Sequence, residues 1–169
     1  IYLLARFLEE HPERAFPQLR GLFLASENVY PWQRALFKRV FNCPICAHYG
    51  HSEMVLLGAE CPQSGRYHFY PQYGYLELIG ADGKPCTQPG QVGELVGTSF
   101  HNPLMPFIRY RTQDYGVLGK PECACGRHYP IIERIEGRLQ EFIVTRDGRL
   151  ISVCVMGAAH FDVLDNVHQ

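Results

Sequence analysis

Residues 19 to 54 read LRGLFLASENVYPWQRALFKRVFNCPICAHYGHSEM, and this stretch decides the fold. Its opening, "LRGLFLAS", is a short apolar run with the length of a buried strand. "YPWQRALFKRVF" follows with helical character, and Pro31 stands near the first turn, where a missing N–H costs no bond. "CPICAHYG" is a second short apolar run leading into a loop. Strand, helix, strand, loop is the grammar of a parallel βαβ unit, whose ligands sit beyond the carboxyl ends of the strands. The loop places a Tyr, a Gly, a hydroxyl and a carboxylate together in Tyr49-Gly50-His51-Ser52-Glu53, and apolar residues return directly after it.

Upstream, "YLLARFLEEHPERAF" spaces Leu and Phe as a helix does, until Pro12 breaks it. Downstream of residue 60 the pattern changes. "YHFYPQYGYLELIG", "GELVGTSF" and "FIRYRT" are rich in Tyr, Phe, Val and Ile and are punctuated by Gly, Pro and "ADG", which signals antiparallel strands and turns. "LQEFIVTRDGRLIS" is a hairpin candidate with Asp147-Gly148 at its turn. The expected organisation is an α/β portion over 1–60, a β-rich portion over 61–136, and a hinge over 137–169 that opens a further domain.

Length and charge bound the function. The chain has 169 residues, 46% apolar and 20% charged, as in an ordinary globular protein. Lys and Arg number 16 against 17 Asp and Glu, a net charge of −1, so no electrostatic case exists for nucleic acid or an anionic membrane surface. No apolar run approaches the roughly 18 to 20 residues of a membrane span, and charges throughout the first twenty residues do not fit a secretory leader. The first residue is Ile1, and the chain is read as part of a longer one. Seven cysteines, an odd number, argue against a disulfide framework and for a reducing, cytoplasmic setting.

Three segments carry candidate chemistry. Tyr49 to Glu53 taken alone reads as a polar strand-to-loop turn. Chemically, its hydroxyl can meet a phosphate oxygen, its carboxylate can hold Mg²⁺, a hard cation that prefers oxygen, and its ring can cover a flat base. "PFIRYRTQDYG" taken alone reads as an exposed strand with paired charges, Arg109, Arg111 and Asp114 among them. The same Asp114 at a strand end can accept from two vicinal sugar hydroxyls. Gly137-Arg138 taken alone reads as a turn with a solvated Arg, whose rigid guanidinium could instead reach a ribose or phosphate.

In this order the three segments resemble the adenylate-forming superfamily of acyl-CoA synthetases, whose pattern is Tyr-Gly-x-Thr/Ser-Glu, then Tyr-Arg-Thr-Gly-Asp, then Gly-Arg-x-Asp-Asp/Lys. The resemblance covers about residues 19 to 169. "GELVGTSFHNPLMPFIRYRT" and "DGRLIS" are similar to the phenylacetate–coenzyme A ligases and their relatives of capsular polysaccharide biosynthesis. It implies a fold in which this chain is the carboxyl-terminal half of the large domain, a βαβ portion followed by an antiparallel β-barrel-like subdomain. It also implies that Tyr49 stacks on adenine, Gly50 and Ser52 meet the nucleotide with Ser52 on the α-phosphate, and Glu53 holds Mg²⁺. Asp114 then binds the ribose hydroxyls, Arg138 contacts ribose or phosphate, and Glu53 and Arg138 are the catalytic pair. His51 walls the acyl pocket, and Ala25 to Asn28 occupy the place of the adenine-contacting loop.

Two residues depart from the pattern. Gln113 stands where the family has Gly, which stiffens the turn before Asp114. Gln140 stands at the family's hinge position. The family's phosphate loop and catalytic Lys are expected before Ile1 and after Gln169, so this chain alone is not expected to complete a reaction.

Cysteines give a further candidate. Cys61 lies seven residues before His68, and Cys123 and Cys125 are followed by Gly126, which lets the backbone turn both sulfurs toward one ion. Cys₃His is a tetrahedral zinc set, and the same pattern recurs among phenylacetate–coenzyme A ligase relatives. The competing pair, Cys43 and Cys46, has the commoner CxxC spacing but sits in an apolar strand and is read as buried and structural. Cys86 and Cys154 are assigned to packing or surface. His48, His101, His128 and His160 are given no role.

The sequence thus points to an ATP-dependent acid–CoA ligase using ATP/AMP, Mg²⁺ and coenzyme A, with a structural Zn²⁺. Its partners are a small carboxylic acid and a nucleotide, and a homodimer is expected, because half a sheet leaves apolar edges open. Two rivals remain: a non-catalytic nucleotide-binding relative, or one with a non-CoA acceptor; and a zinc-stapled β module with a structural role.

Overall fold

The structure, a computed structural model, describes residues 1–25, 28–138, 142–144 and 150–152. Helix α1, Tyr2–Glu10, buries Ala5 and Leu8. It ends where expected, at the 3-10 turn Pro12–Arg14, and the backbone N–H of His11 closes it on the Phe7 carbonyl at 3.0 Å. Strand β1, Leu22–Leu24, helix α2, Pro31–Phe41, and strand β2, Ile45–Gly50, form the expected βαβ unit. β1 and β2 are parallel, with Leu22 opposite Ile45 and Leu24 opposite Ala47. Pro31 opens α2, Gln33 Oε1 accepts the Tyr30 N–H at 3.0 Å, and Asn42 ends the helix in the left-handed region at φ 46°. Leu36, Phe37 and Phe41 of α2 pack with Ala5 and Leu8 into one core. Phe37 is 1% exposed, and burial of such a side chain stabilises by about 1.5–3 kcal/mol.

A second core belongs to the β-rich part and contains Tyr49, Val55, Leu56, Phe69, Leu78, Leu95 and Ile132. Its strands are β3, Leu57–Glu60, β4, Tyr67–Phe69, β5, Gly74–Ile79, β6, Val92–Ser99, β7, Tyr110–Leu118, and β8, Ile131–Arg138. The mixed sheet of eight strands has the order β1-β2-β3-β4-β8-β7-β6-β5, antiparallel everywhere beyond β1 and β2. Ladder bonding runs on across residue 60, from β3 to β4. The sheet curls until the Val55–Leu56 segment lies against β5 and β6. A Cβ at Gly74 would stand 2.1 Å from the Val55 carbonyl, and one at Gly97 2.6 Å from the Leu56 and Val55 side chains.

"YHFYPQYGYLELIG" forms β4 and β5 with a turn between them. Tyr70–Tyr73 turn the chain, with the Tyr73 N–H on the Tyr70 carbonyl at 3.0 Å, and send β4 to the middle of the sheet and β5 to its edge. Phe107 to Arg109 precede β7 rather than belong to it. Farther on, β9, Phe142–Val144, and β10, Leu150–Ser152, pair antiparallel as the expected hairpin. Its turn, Asp147-Gly148, lies outside the described residues, as do Gln140, Cys154 and His160.

Candidate functional site

The site is built where β2, β7 and β8 meet across the curled sheet. Three strands, β3, β4 and β8, separate β2 from β7 in ladder order. The Tyr49 hydroxyl nevertheless donates to Asp114 Oδ2 at 2.7 Å, so this contact crosses the interior of the curl. Asp114 stands opposite Arg138 in the β7–β8 register, and Arg138 Nε donates to Asp114 Oδ1 at 3.1 Å. Gly137, at φ 103°, adopts a backbone that a side chain would strain, at the register shift that brings Arg138 to this face. Asp114 and the Tyr49 ring are buried, and Arg138 is half exposed. Burial pushes the Tyr49 hydroxyl far above its ordinary value, so it stays a donor. Together Tyr49, Asp114 and Arg138 line a cleft with Asn28, Gly50 and His51.

Glu53 lies on the turn after β2, which the Met54 N–H closes on the His51 carbonyl at 3.0 Å. Its Oε1 accepts from the Tyr110 hydroxyl at 2.8 Å, and its Oε2 stands 3.4 Å from His51 Nδ1. The Tyr110 hydrogen bond holds the Glu53 carboxyl below its usual range, and the same bond pushes the Tyr110 hydroxyl up. His51 is 7% exposed at its side chain, and burial pushes its imidazole down against the opposing pull of Glu53. Ser52 is exposed at the same turn. The structure thus brings Tyr49, Gly50, His51, Asp114 and Arg138 to one cleft, with Glu53 and Ser52 on the turn beside it.

Arg109 and Arg111 point elsewhere. Arg109 Nε donates to Glu77 at 3.0 Å, and Arg111 Nε to Glu94 at 2.8 Å. Sequence reasoning missed Tyr110, between the two arginines, and Thr112, between Arg111 and Asp114. It also missed His48 and Tyr67, which line the cleft. The signal for Tyr110 was its place inside a motif already singled out. His48 gave none, and its ring stacks on Phe23 at 4.8 Å.

Cys61, His68, Cys123 and Cys125 come together as expected, with all four ligand atoms within 4.8 Å of one another. Cys61 Sγ and Cys123 Sγ are 3.8 Å apart, and Cys125 Sγ is 3.7 Å from His68 Nε2. Tetrahedral zinc with Zn–S near 2.3 Å and Zn–N near 2.05 Å requires separations of about 3.8 and 3.6 Å, so the donor set fits this ion. Two tight turns present the ligands: the Gly65 N–H bonds the Cys61 carbonyl at 2.7 Å, and the Gly126 N–H bonds the Cys123 carbonyl at 3.0 Å. Arg66 ties the turns together, donating to the carbonyls of Lys120 at 3.1 Å and Glu122 at 2.6 Å.

The Ser64 hydroxyl and the Cys125 amide draw the Cys123 thiol down to about 5. At Cys61, burial favours the thiol, but the amides of Gln63 and Ser64 outweigh it and lower the pKa. At Cys125 the Arg127 amide favours the thiolate, but burial and the neighbouring Cys123 and Cys61 sulfurs outweigh it and raise the pKa. Three sulfurs this close ionise together only around a cation. Among the described residues this is the one Cys/His/carboxylate group of metal-binding geometry. Cys43 and Cys46 are half-buried rather than buried, Cys46 donating to the Glu60 carbonyl at 3.6 Å. Cys86 packs against the larger core.

No known protein-family model matches the chain. Protein CapK of Staphylococcus aureus is 27% identical over 156 residues, which is 90% of this chain and 32% of that protein. The structure is similar to 2-hydroxyisobutyryl-CoA ligase in its postadenylation state in complex with R3-HIB-AMP. There the TM-score is 0.77 at 24% identity, over 94% of this chain and 35% of the other. It is also similar to anthranilate CoA ligase in complex with anthranoyl-AMP, with a TM-score of 0.61 at 17% identity, over 89% of this chain and 30% of the other. The chain spans about a third of the length of these relatives. It therefore has the fold of that part of the adenylate-forming acyl-CoA ligases.

Proposed function

We propose that the complete protein is an ATP-dependent acid–CoA ligase, and that this chain supplies the nucleotide-binding face of its adenylation site. The observation that carries the reading is the Tyr49–Asp114–Arg138 cluster at one cleft, with Glu53 held beside it by Tyr110. The cleft offers an aromatic wall, a carboxylate fixed by two donors, and a guanidinium half open to solvent. That combination suits a nucleoside monophosphate unit. Asp114 accepts from the ribose hydroxyls, Tyr49 and Gly50 flank the base, and Ser52 donates to the α-phosphate. Arg138 reaches ribose or phosphate, and His51 walls the acid.

In the reaction, an oxygen of the substrate carboxylate attacks the α-phosphorus of ATP. The bond to the β-phosphate breaks, and pyrophosphate leaves. The coenzyme A thiolate then attacks the acyl carbon and AMP departs. The contribution of these residues is positioning and charge neutralisation at the phosphorus. Glu53 would hold a Mg²⁺ ion, which when bound neutralises phosphate charge. The Cys61, His68, Cys123 and Cys125 set would hold a structural Zn²⁺ that staples two turns and takes no part in the chemistry.

The motif resemblance to the capsular polysaccharide branch carries a finer reading, in which an amine or sugar replaces coenzyme A as acceptor. The four-ligand cluster favours a second reading, a zinc-stapled module without turnover. A pyrophosphate-release assay on the complete protein, with ATP, Mg²⁺ and a panel of aryl and aliphatic acids, with and without coenzyme A, tests all three. Acid-dependent release abolished by Glu53→Ala is expected. Acid-dependent release that coenzyme A leaves unchanged would favour the alternative acceptor. No release with any acid, from folded protein, would favour the module.

A further inference from the structure

We propose that Glu94 is a positioning residue for Asp114, acting through a bulge in β7. The proposal rests on the ribose-binding reading of Asp114. Between the pairs Glu94–Tyr115 and Val96–Arg111, β6 advances two residues while β7 advances four. The two extra residues of β7 form a bulge over Thr112 to Asp114, a device that re-aims a side chain. Gln113 at its centre is left-handed, with φ 62°, a conformation that strains a residue bearing a Cβ.

Glu94 grips this bulge. Its side chain is 4% exposed, and its carboxylate bonds to β7. Oε1 accepts the backbone N–H of Gln113 at 3.1 Å, and Oε2 accepts Arg111 Nε at 2.8 Å and Nη2 at 2.5 Å. A carboxylate this buried is costly unless paired and hydrogen-bonded, and here every bond is spent on the two residues that precede and form the bulge. Thr112 completes the clamp, donating to the Leu95 carbonyl at 2.8 Å and accepting the Asp114 N–H at 3.1 Å. Asp114 leaves the bulge aimed across the curl at Tyr49 and back at Arg138. Glu94 is therefore remote from the nucleotide but sets the direction of the carboxylate that would bind it.

The test compares ATP with 2′-deoxy-ATP in the complete protein, before and after Glu94→Ala and Glu94→Gln. A hydrogen bond to a charged group is worth about 1.5–3 kcal/mol, so the unaltered protein should prefer ATP in kcat/KM by roughly ten- to a hundredfold. Glu94→Ala should bring this preference close to one, while kcat/KM for 2′-deoxy-ATP changes little. Glu94→Gln keeps an acceptor for the Gln113 N–H and should fall between. Loss of a merely structural contact would lower both substrates alike. Folded Glu94 variants that keep the full preference would overturn the proposal, and Glu94→Gln decides if Glu94→Ala does not fold. An unaltered protein without any preference would overturn the ribose reading of Asp114 itself, and the proposal with it.

Discussion

Gln113 shows what a single backbone angle demands. The resemblance marked it as a departure, because the family has Gly there. The structure gives the reason for Gly: the position is left-handed, with φ 62°. A residue with a Cβ loses about 1–2 kcal/mol in that region, against about 0.5–1 kcal/mol for the extra freedom of an unfolded Gly. Gln113→Gly should therefore stabilise the protein by roughly 0.5–1 kcal/mol, read as a raised denaturation midpoint; a lower midpoint would contradict the assignment. His51 supplies a pH dependence. Burial lowers its folded pKa, so the folded state binds fewer protons than the unfolded one. Stability from this group is full above the unfolded value of about 6.5 and is lost as pH falls below it. Urea titrations at pH 7 and pH 5 should show a smaller loss for His51→Gln than for the unaltered protein, and equal losses would contradict the shift. Glu53, Asp114 and Arg138 were legible as types in motifs. The bonds of Tyr110 to Glu53, of Thr112 to Asp114 and of Glu94 to the Arg111 and Gln113 that precede it were not, because side-chain pairing within and between strands leaves no periodic pattern in the sequence.

Elements were legible where helical spacing, a short apolar run or a run rich in β-branched and aromatic residues marked them. α1, α2, β1, β2 and β6 were all readable in the chain, and so was the hairpin of β9 and β10. β3 and β8 were not. "LGAE" is four residues with a Gly and a Glu, and "IIERIEGR" buries Ile131 and Ile132 side by side rather than in alternation. The curl that unites the site came only from the family resemblance, as a barrel-like subdomain, and not from the residue pattern, because it depends on close approach at Gly74 and Gly97. Gly97→Val should force the Val55–Leu56 segment off β6. Overpacking of this kind costs about 1–3 kcal/mol, and a Gly97→Val protein melting with the unaltered one would show that the curl has more room than described.

For the whole molecule, the Cys61, His68, Cys123 and Cys125 cluster and the exposed apolar surface carry the remaining predictions. Removal of metal with a strong chelator should lower the melting temperature and release close to one equivalent of zinc, because a structural ion binds the folded state alone. Chelation without effect on melting would contradict the staple. Leu3, Phe23, Leu104 and Ile108 are each more than two-thirds exposed, and no helix among the described residues is long and apolar enough to cross a membrane. Expressed alone, this chain should self-associate, and a strictly monomeric species in light scattering would contradict that. Calorimetric titration of the complete protein with AMP shows whether Tyr49, Asp114 and Arg138 receive a nucleotide. Saturable binding is expected, weakened by Asp114→Ala by at least about tenfold, a loss of about 1.4 kcal/mol or more, and left unchanged by Glu77→Gln, remote from the cleft. Binding that Asp114→Ala does not weaken, or no binding at all by folded protein, would contradict that role.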